Sequence, residues 1–150
     1  MDMYFDYAAA TPVDEVVMAA MMPFYTEKFD NPSALYLSAK QVHNDIEAAR
    51  ADVAKVLGAR ASEVIFTAGG TEANNLAIRG IAEAFPGKKI IISAVEHDSV
   101  RRPAMHGSGV ECPVLKDGSI DMAALAAMID DQTVLVSVMY ANNEVGTIQP

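Results

Sequence analysis

Between residues 64 and 139 the chain alternates short apolar runs with stretches of helical periodicity, and that alternation limits the fold more than any other feature. Val64-Ile-Phe-Thr67, Lys89-Ile-Ile-Ile-Ser93, Val110 to Leu115 and Thr133 to Met139 are rich in β-branched residues and read as strands. Their centres are apolar without a clean polar alternation, the pattern of strands covered on both faces. Gly69-Gly70, Pro86-Gly87 and Asp117-Gly118 punctuate them as turns. Between the runs, Thr71 opens a helix with Leu76, Ala77, Gly80, Ile81 and Ala84 on its apolar face. Another helix follows His97 to about His106, and Met122, Leu125, Ala126 and Ile129 mark a third. Strand and helix in turn predict an α/β fold, a mostly parallel sheet flanked by helices.

The first sixty residues carry a different pattern. Met3-Tyr-Phe-Asp-Tyr7 suits a short strand or an extended arm, and Thr11-Pro12 a helix start with Val13, Val16, Val17, Ala20, Met21 and Phe24 on one face. Asp30-Asn-Pro-Ser33 is a loop, because a residue before proline avoids helical geometry. A long helix is expected from about Ser38 to Leu57, burying Val42, Ile46, Ala49, Val53 and Val56 and stopping at Gly58. The expected organisation is a helical arm over 1–60 and an alternating β/α region over 61–150.

Net charge is −9, which disfavours nucleic acid as a partner, since a phosphate backbone would be repelled. No apolar run is long enough to span a membrane, and no basic start followed by an apolar stretch marks a signal peptide, so the expected location is the cytoplasm. The single cysteine, Cys112, lies in a strand-like segment beside Glu111, a setting for a small core or edge residue rather than a reactive thiol. His43, His97 and His106 have no ligand spacing, so no metal site is expected.

Open α/β sheets bind ligands beyond the carboxyl ends of their strands. Three such ends carry suitable residues. In Thr67-Ala-Gly-Gly-Thr-Glu-Ala-Asn-Asn75, two glycines and a threonine at a helix start suit a phosphate, although Thr71 could equally serve only to cap its helix. No Gly-Lys-Ser/Thr follows, so this is not a Walker loop. In Ser93-Ala-Val-Glu-His-Asp98, His97 could stack on a flat ring or carry a proton, or be an ordinary loop histidine. In Tyr140-Ala-Asn-Asn-Glu-Val-Gly146 the asparagines could make a turn or donate to a ligand oxygen.

Phe66-Thr-Ala-Gly-Gly-Thr-Glu-Ala-Asn-Asn-Leu-Ala-Ile78 closely resembles the phosphate-binding stretch of the NifS/IscS-like cysteine desulfurases, in the class V aminotransferase group of fold-type-I pyridoxal-phosphate (PLP) enzymes. Asp6-Tyr-Ala-Ala-Ala-Thr-Pro12, Asn31-Pro-Ser33, Val95-Glu-His97 and Val138-Met-Tyr-Ala-Asn-Asn-Glu-Val-Gly146 resemble further family motifs in the same order. The resemblance implies that the chain is the amino-terminal part of a PLP-dependent transferase large domain. It implies that Gly70 and Thr71 hold the PLP phosphate and that His97 stacks on the pyridine ring and assists proton transfer. Asn143 would lie at the cofactor's phenolic oxygen, with Asn142 the less certain contact. The implied reaction takes L-cysteine to L-alanine and leaves the sulfur as an enzyme persulfide, for an acceptor such as an iron–sulfur scaffold. A homodimer is implied too. A selenocysteine lyase, an aminotransferase of the same group, or a non-catalytic split half that binds a partner chain are the alternatives.

The chain departs from the family pattern at Tyr7, Asp30, Tyr36 and Ala39, around the first loops rather than the cofactor motifs. None of Lys28, Lys40, Lys55, Lys88, Lys89 or Lys116 stands in the family's Ser-x-His-Lys setting, and Cys112 does not match the family nucleophile. The resemblance places the Schiff-base lysine, the aspartate of the pyridine nitrogen and the persulfide cysteine beyond residue 150. Residues 1–150 alone are therefore expected to be catalytically silent and prone to associate through unpaired sheet edges.

Overall fold

A computed structural model describes residues 3–150. The chain divides into two compact units, one ending at Phe66 and one running from Thr67 to Pro150.

The first unit is helical. Its aromatic start is not a strand: the Tyr4 hydroxyl donates to the carbonyls of Asp6 (2.7 Å) and Ala10 (3.1 Å), folding the segment into a turn. The first helix begins later than Thr11-Pro12 suggests. Asp14 accepts from the Val16 N–H at 2.8 Å and caps α1, Glu15–Met21; α2, Pro23–Thr26, follows with proline at its first position. Val13 therefore lies outside α1 and Phe24 in the next helix, so the expected stripe does not form a single face, and Val16 is 79% exposed. The long helix α3 spans Leu37–Leu57 and ends on Gly58 at φ +66°, whose N–H reaches the carbonyls of Ala54 and Lys55. Ala39, Val42 and Ala54 are its buried residues, whereas Val53 and Val56 are exposed. The apolar stripe is wider than the surface available to cover it within this unit, so its second half stays open.

Beyond a short 3-10 turn, Ala61–Glu63, the Arg50 guanidinium donates to the Val64 carbonyl at 2.7 Å and lies 4.7 Å from the Phe66 ring centre. Val64–Thr67 is not a strand. Val64 has extended angles, but a strand needs a hydrogen-bonded neighbour, and this segment's contact runs to an arginine side chain instead.

The second unit holds α4 (Gly70–Ala84), β1 (Lys89–Ser93), α5 (Asp98–His106), β2 (Gly109–Cys112), α6 (Met122–Met128) and β3 (Thr133–Ser137). The sheet order is β2-β1-β3, with both pairings parallel, as the alternation of strands and helices demands. β1 is the centre: Ile90, Ile91 and Ile92 are fully buried, worth about 1.5–3 kcal/mol each. The two-residue period divides them between faces. Ile90 and Ile92 pack with Ile78 of α4 and with Val100 and Ala104 of α5. Ile91 packs on the other face with Cys112 and Ile120, backed by Ala124, Leu125 and Met128. Cys112 is thus a core residue, and burial, with the Asp121 carboxylate in support, pushes its thiol up from the ordinary value.

Helix α4 lies where its periodicity places it, but turned. Its buried residue is Ile78, with Ala82 beside it, while Leu76 is 51% exposed. α4 is apolar on two sides, and packing against β1 and α5 selects the Ile78 side. Gly109 marks a close approach: a Cβ there would stand 2.5 Å from the Ala104 carbonyl oxygen, so β2 can start beneath the end of α5 only without a side chain.

Candidate functional site

Because β1 and β3 are parallel neighbours, their carboxyl ends lie side by side, and the loops that leave them are fastened together. The Glu96 carboxylate accepts from the Met139 N–H (2.5 Å) and from the Ser93 hydroxyl (3.1 Å). Burial is the leading influence on Glu96 and pushes its carboxyl up from the ordinary value, against the pull of these two donors. Asn142 is 9% exposed and supplies the second fastening. Its Nδ2 donates to the Val95 carbonyl at 3.3 Å, and its Oδ1 accepts from the N–H groups of Glu144 (2.9 Å) and Val145 (3.0 Å). Asn142 is therefore a turn-former whose amide is consumed by the fold. Asn143 is exposed, with one long contact from Nδ2 to Glu144 at 3.4 Å.

The loop after β1 delivers His97 to the start of α5 as its N-cap residue. Nδ1 accepts from the Ser99 N–H at 3.0 Å and lies 2.8 Å from the Ser99 hydroxyl. Two asparagines of α4 reach across to the same serine. Asn74 Nδ2 donates to Ser99 Oγ at 2.8 Å, and Asn75 Nδ2 donates to the carbonyls of Thr71 (2.9 Å) and Ser99 (3.4 Å). These bonds draw the first turn of α4 to the first turn of α5. The two turns share one groove of about 640 Å³, lined by Thr71, Asn75, His97 and Ser99 and, further along, Arg79, Arg102 and His106.

The groove suits an anion. Two helix N-termini open on it, and each carries partial positive charge. α4 starts at Gly70 after Gly69, with no side-chain cap, so Thr71 does not spend its hydroxyl capping the helix. The preceding loop is held by its own contacts: Glu72 accepts from the Ala68 N–H at 2.7 Å, and Thr67 donates to the Gly69 carbonyl at 3.1 Å. Asp98, the acidic residue at the groove, is paired with Arg102 at 2.8 Å. A Cβ on Gly69 or Gly70 would meet nothing within 4 Å, so the space before this backbone is open to a ligand. Gly69 has an extended backbone, so close approach, not a left-handed turn, is what glycine offers here.

The structure thus brings Thr71 and His97 into one groove, whereas Gly70 lines a second hollow that shares Thr71 and Asn75 with it, and Asn143 lies outside the lining of both. Asn74, Asn75, Ser99 and Glu96 were not singled out by sequence reasoning. A carboxylate directly after a buried strand was the available signal for Glu96; nothing local marks the two asparagines as partners of a residue some 25 positions away. Among the described residues, no group of three or more His, Cys, Asp or Glu side chains is placed to hold a metal, and no helix is long and apolar enough to cross a membrane.

A parallel sheet flanked by helices, with two helix N-termini opening on one groove, is an α/β arrangement of the kind that binds anionic ligands at its strand ends. Residues 3–150 match the family model described as Aminotransferase class-V, and the chain belongs to that family. The cysteine desulfurase IscS of Dictyoglomus turgidum is 45% identical over 99% of this chain and 40% of its own length. The cysteine desulfurase IscS of Rickettsia bellii is 47% identical over the whole chain and 38% of its own length. Among solved structures, a NifS-like protein superposes over the whole chain and 43% of its own, with a TM-score of 0.94 at 38% identity. SspA in complex with cysteine does so over 98% of this chain and 44% of its own, with a TM-score of 0.90 at 36% identity. The chain therefore spans about two-fifths of the length of these curated relatives.

Proposed function

We propose that this chain contributes the phosphate-binding part of the cofactor pocket of a PLP-dependent cysteine desulfurase. Its helical arm and its α/β region would form the amino-terminal part of one transferase large domain. The observation that carries this reading is the convergence of an uncapped α4, the exposed Thr71 hydroxyl and His97 on a single groove. The donor set fits the cofactor: N–H groups and a hydroxyl for a phosphate dianion, a flat imidazole for a heteroaromatic ring, an exposed Asn143 amide for a ring oxygen. The relatives named as cysteine desulfurases, and a structural neighbour named as complexed with cysteine, support L-cysteine as the substrate.

When bound, PLP supplies an electron sink for bond breaking at the amino acid. The chain's own residues do the holding. Gly70 and Thr71 bind the phosphate at the positive end of α4, and His97 covers one face of the ring and keeps water from it. Asn143 donates to the ring oxygen, while Asn142 and Glu96 fix the loops that carry these groups. A cysteine thiolate other than Cys112, which is buried, would take the substrate sulfur as its Cβ–S bond breaks, with L-alanine leaving after protonation at Cβ, and the persulfide sulfur would pass to an acceptor such as an iron–sulfur scaffold. A homodimer working in the cytoplasm completes the proposal. With no Ser-x-His-Lys segment in residues 1–150, these residues by themselves release no alanine from cysteine.

The test is a titration of the ¹⁵N-labelled chain with PLP, followed by amide shifts. Saturable shifts at Gly70, Thr71 and His97, lost in Thr71→Ala and competed by inorganic phosphate, are expected. Shifts elsewhere with none at Gly70 and Thr71 would overturn the assignment.

A further inference from the structure

The proposed pocket leaves one question about His97 that its geometry answers: which ring nitrogen faces the ligand as a donor. A backbone N–H can only donate, so the Ser99 N–H on Nδ1 at 3.0 Å requires an unprotonated Nδ1. The Ser99 hydroxyl, 2.8 Å from the same nitrogen, then donates to it as well. That hydroxyl has its own direction set from α4, because Asn74 Nδ2 donates to Ser99 Oγ at 2.8 Å. An oxygen that accepts from Asn74 turns its hydrogen elsewhere, and Nδ1 is the acceptor in reach. Ser99 is 8% exposed, so water competes little for these bonds.

We propose that Ser99, oriented by Asn74, is the positioning residue that holds His97 in its Nε2–H tautomer. The inference deepens the PLP reading and rests on it for its meaning in catalysis. The ring then meets a ligand as a flat face with a donor at Nε2. It does not offer a base there, because taking a proton at Nε2 would first move the existing proton to Nδ1, against two donors. The resting tautomer therefore puts a proton, not a lone pair, at the ring nitrogen that Ser99 leaves free.

The experiment uses the full chain labelled with ¹⁵N at histidine, in mildly alkaline buffer, with His43→Gln and His106→Gln to assign the three rings. Two-bond ¹H–¹⁵N spectra are expected to show His97 with a protonated Nε2 and a hydrogen-bonded, unprotonated Nδ1. Ser99→Ala should move both nitrogens toward the averaged shifts of an exchanging imidazole. Asn74→Leu should do so to a lesser degree, since the Ser99 hydroxyl stays and loses only the donor that sets its direction, and Ser99→Thr should restore the wild-type pattern. Asn74→Leu alters only a half-buried side chain on the other helix, so it decides the matter if Ser99→Ala fails to fold. His97 signals unchanged in both variants, or a protonated Nδ1 in the wild type, would overturn the proposal. Adding PLP to the same samples separates the two readings. A Ser99-dependent ring signature with no PLP response sinks the cofactor assignment alone, and a PLP response with a Ser99-independent ring sinks this one alone.

Discussion

Asn75 of α4 donates to the Ser99 carbonyl of α5 at 3.4 Å, in the place that the N–H of residue 103 would fill if it were not proline. A proline inside a helix leaves the carbonyl four residues back without its partner. The side chain of the neighbouring helix supplies one instead, and the defect in α5 becomes a tie between the two helices that frame the groove.

That substitution of one donor for another predicts coupling. Asn75→Ala should lower stability by about 1 kcal/mol, the usual worth of a lost hydrogen bond. Pro103→Ala restores a helical N–H to the Ser99 carbonyl, so the loss on Asn75→Ala in that background should shrink by about 0.5 kcal/mol. Urea midpoints of the four proteins in the cycle, at constant m, measure this; strict additivity would refute it.

The Glu96 clamp predicts an unusual pH response. A carboxyl pushed up by burial binds its proton more tightly in the folded state than in the unfolded one. From this group, stability falls as pH rises from the ordinary value of 4.5 through the raised folded value. Glu96→Gln keeps an acceptor for the Met139 N–H without a charge and should flatten that slope. Glu96→Ala leaves the N–H unpaired and should cost about 1–3 kcal/mol. Denaturation midpoints on the three proteins, followed upward in pH from the ordinary value of 4.5, would show both effects.

The opposite limb belongs to the surface. Lys89 beside Asp130 (2.8 Å) is the leading cause that holds its carboxyl below the ordinary 3.8, with the Gln132 N–H assisting. The pair contributes above that value and is lost as pH falls through the folded one. Asp130→Asn should therefore remove that contribution near neutrality, shallow the acid-induced loss below the ordinary value and change little in stronger acid, read as denaturation midpoints against pH.

Gly109→Ala tests the passage of β2 beneath α5. The added methyl meets the backbone at Ala104, which cannot rotate away as a side chain could. A loss of about 1–3 kcal/mol is expected. Gly80→Ala, where nothing lies within 4 Å, should be neutral or gain about 0.5–1 kcal/mol of helix propensity. Thermal melts of the two variants should move in opposite directions.

The long helix α3, the helices of the second unit, the parallel sheet and the helix-start positions of Thr71 and His97 were legible because each is written in neighbouring residues. Periodicity, turn dipeptides and a glycine-rich helix start are local signals. Val64–Thr67 misled because its composition reports a preference for extended backbone, whereas a strand also requires a partner. The phase of α4 was misread for a similar reason: Leu76 and Ile78 are both apolar, and only packing against Ile90 and Val100 chooses between them. The Asn74–Ser99–His97 network was invisible because its bonds join residues on different elements, and asparagine in a helix carries no sign of what it will meet.

Two adjacent, identical letters in Tyr140-Ala-Asn-Asn-Glu-Val-Gly146 have come to opposite ends. Asn142 faces inward and both ends of its amide are taken, so it behaves like a rivet. Asn143 stands outside the joint that its neighbour closes. Tolerance to substitution at this doublet should then be asymmetric: the first position admits only a side chain that reproduces a three-way bracket, whereas the fold asks of the second no more than one long contact to Glu144.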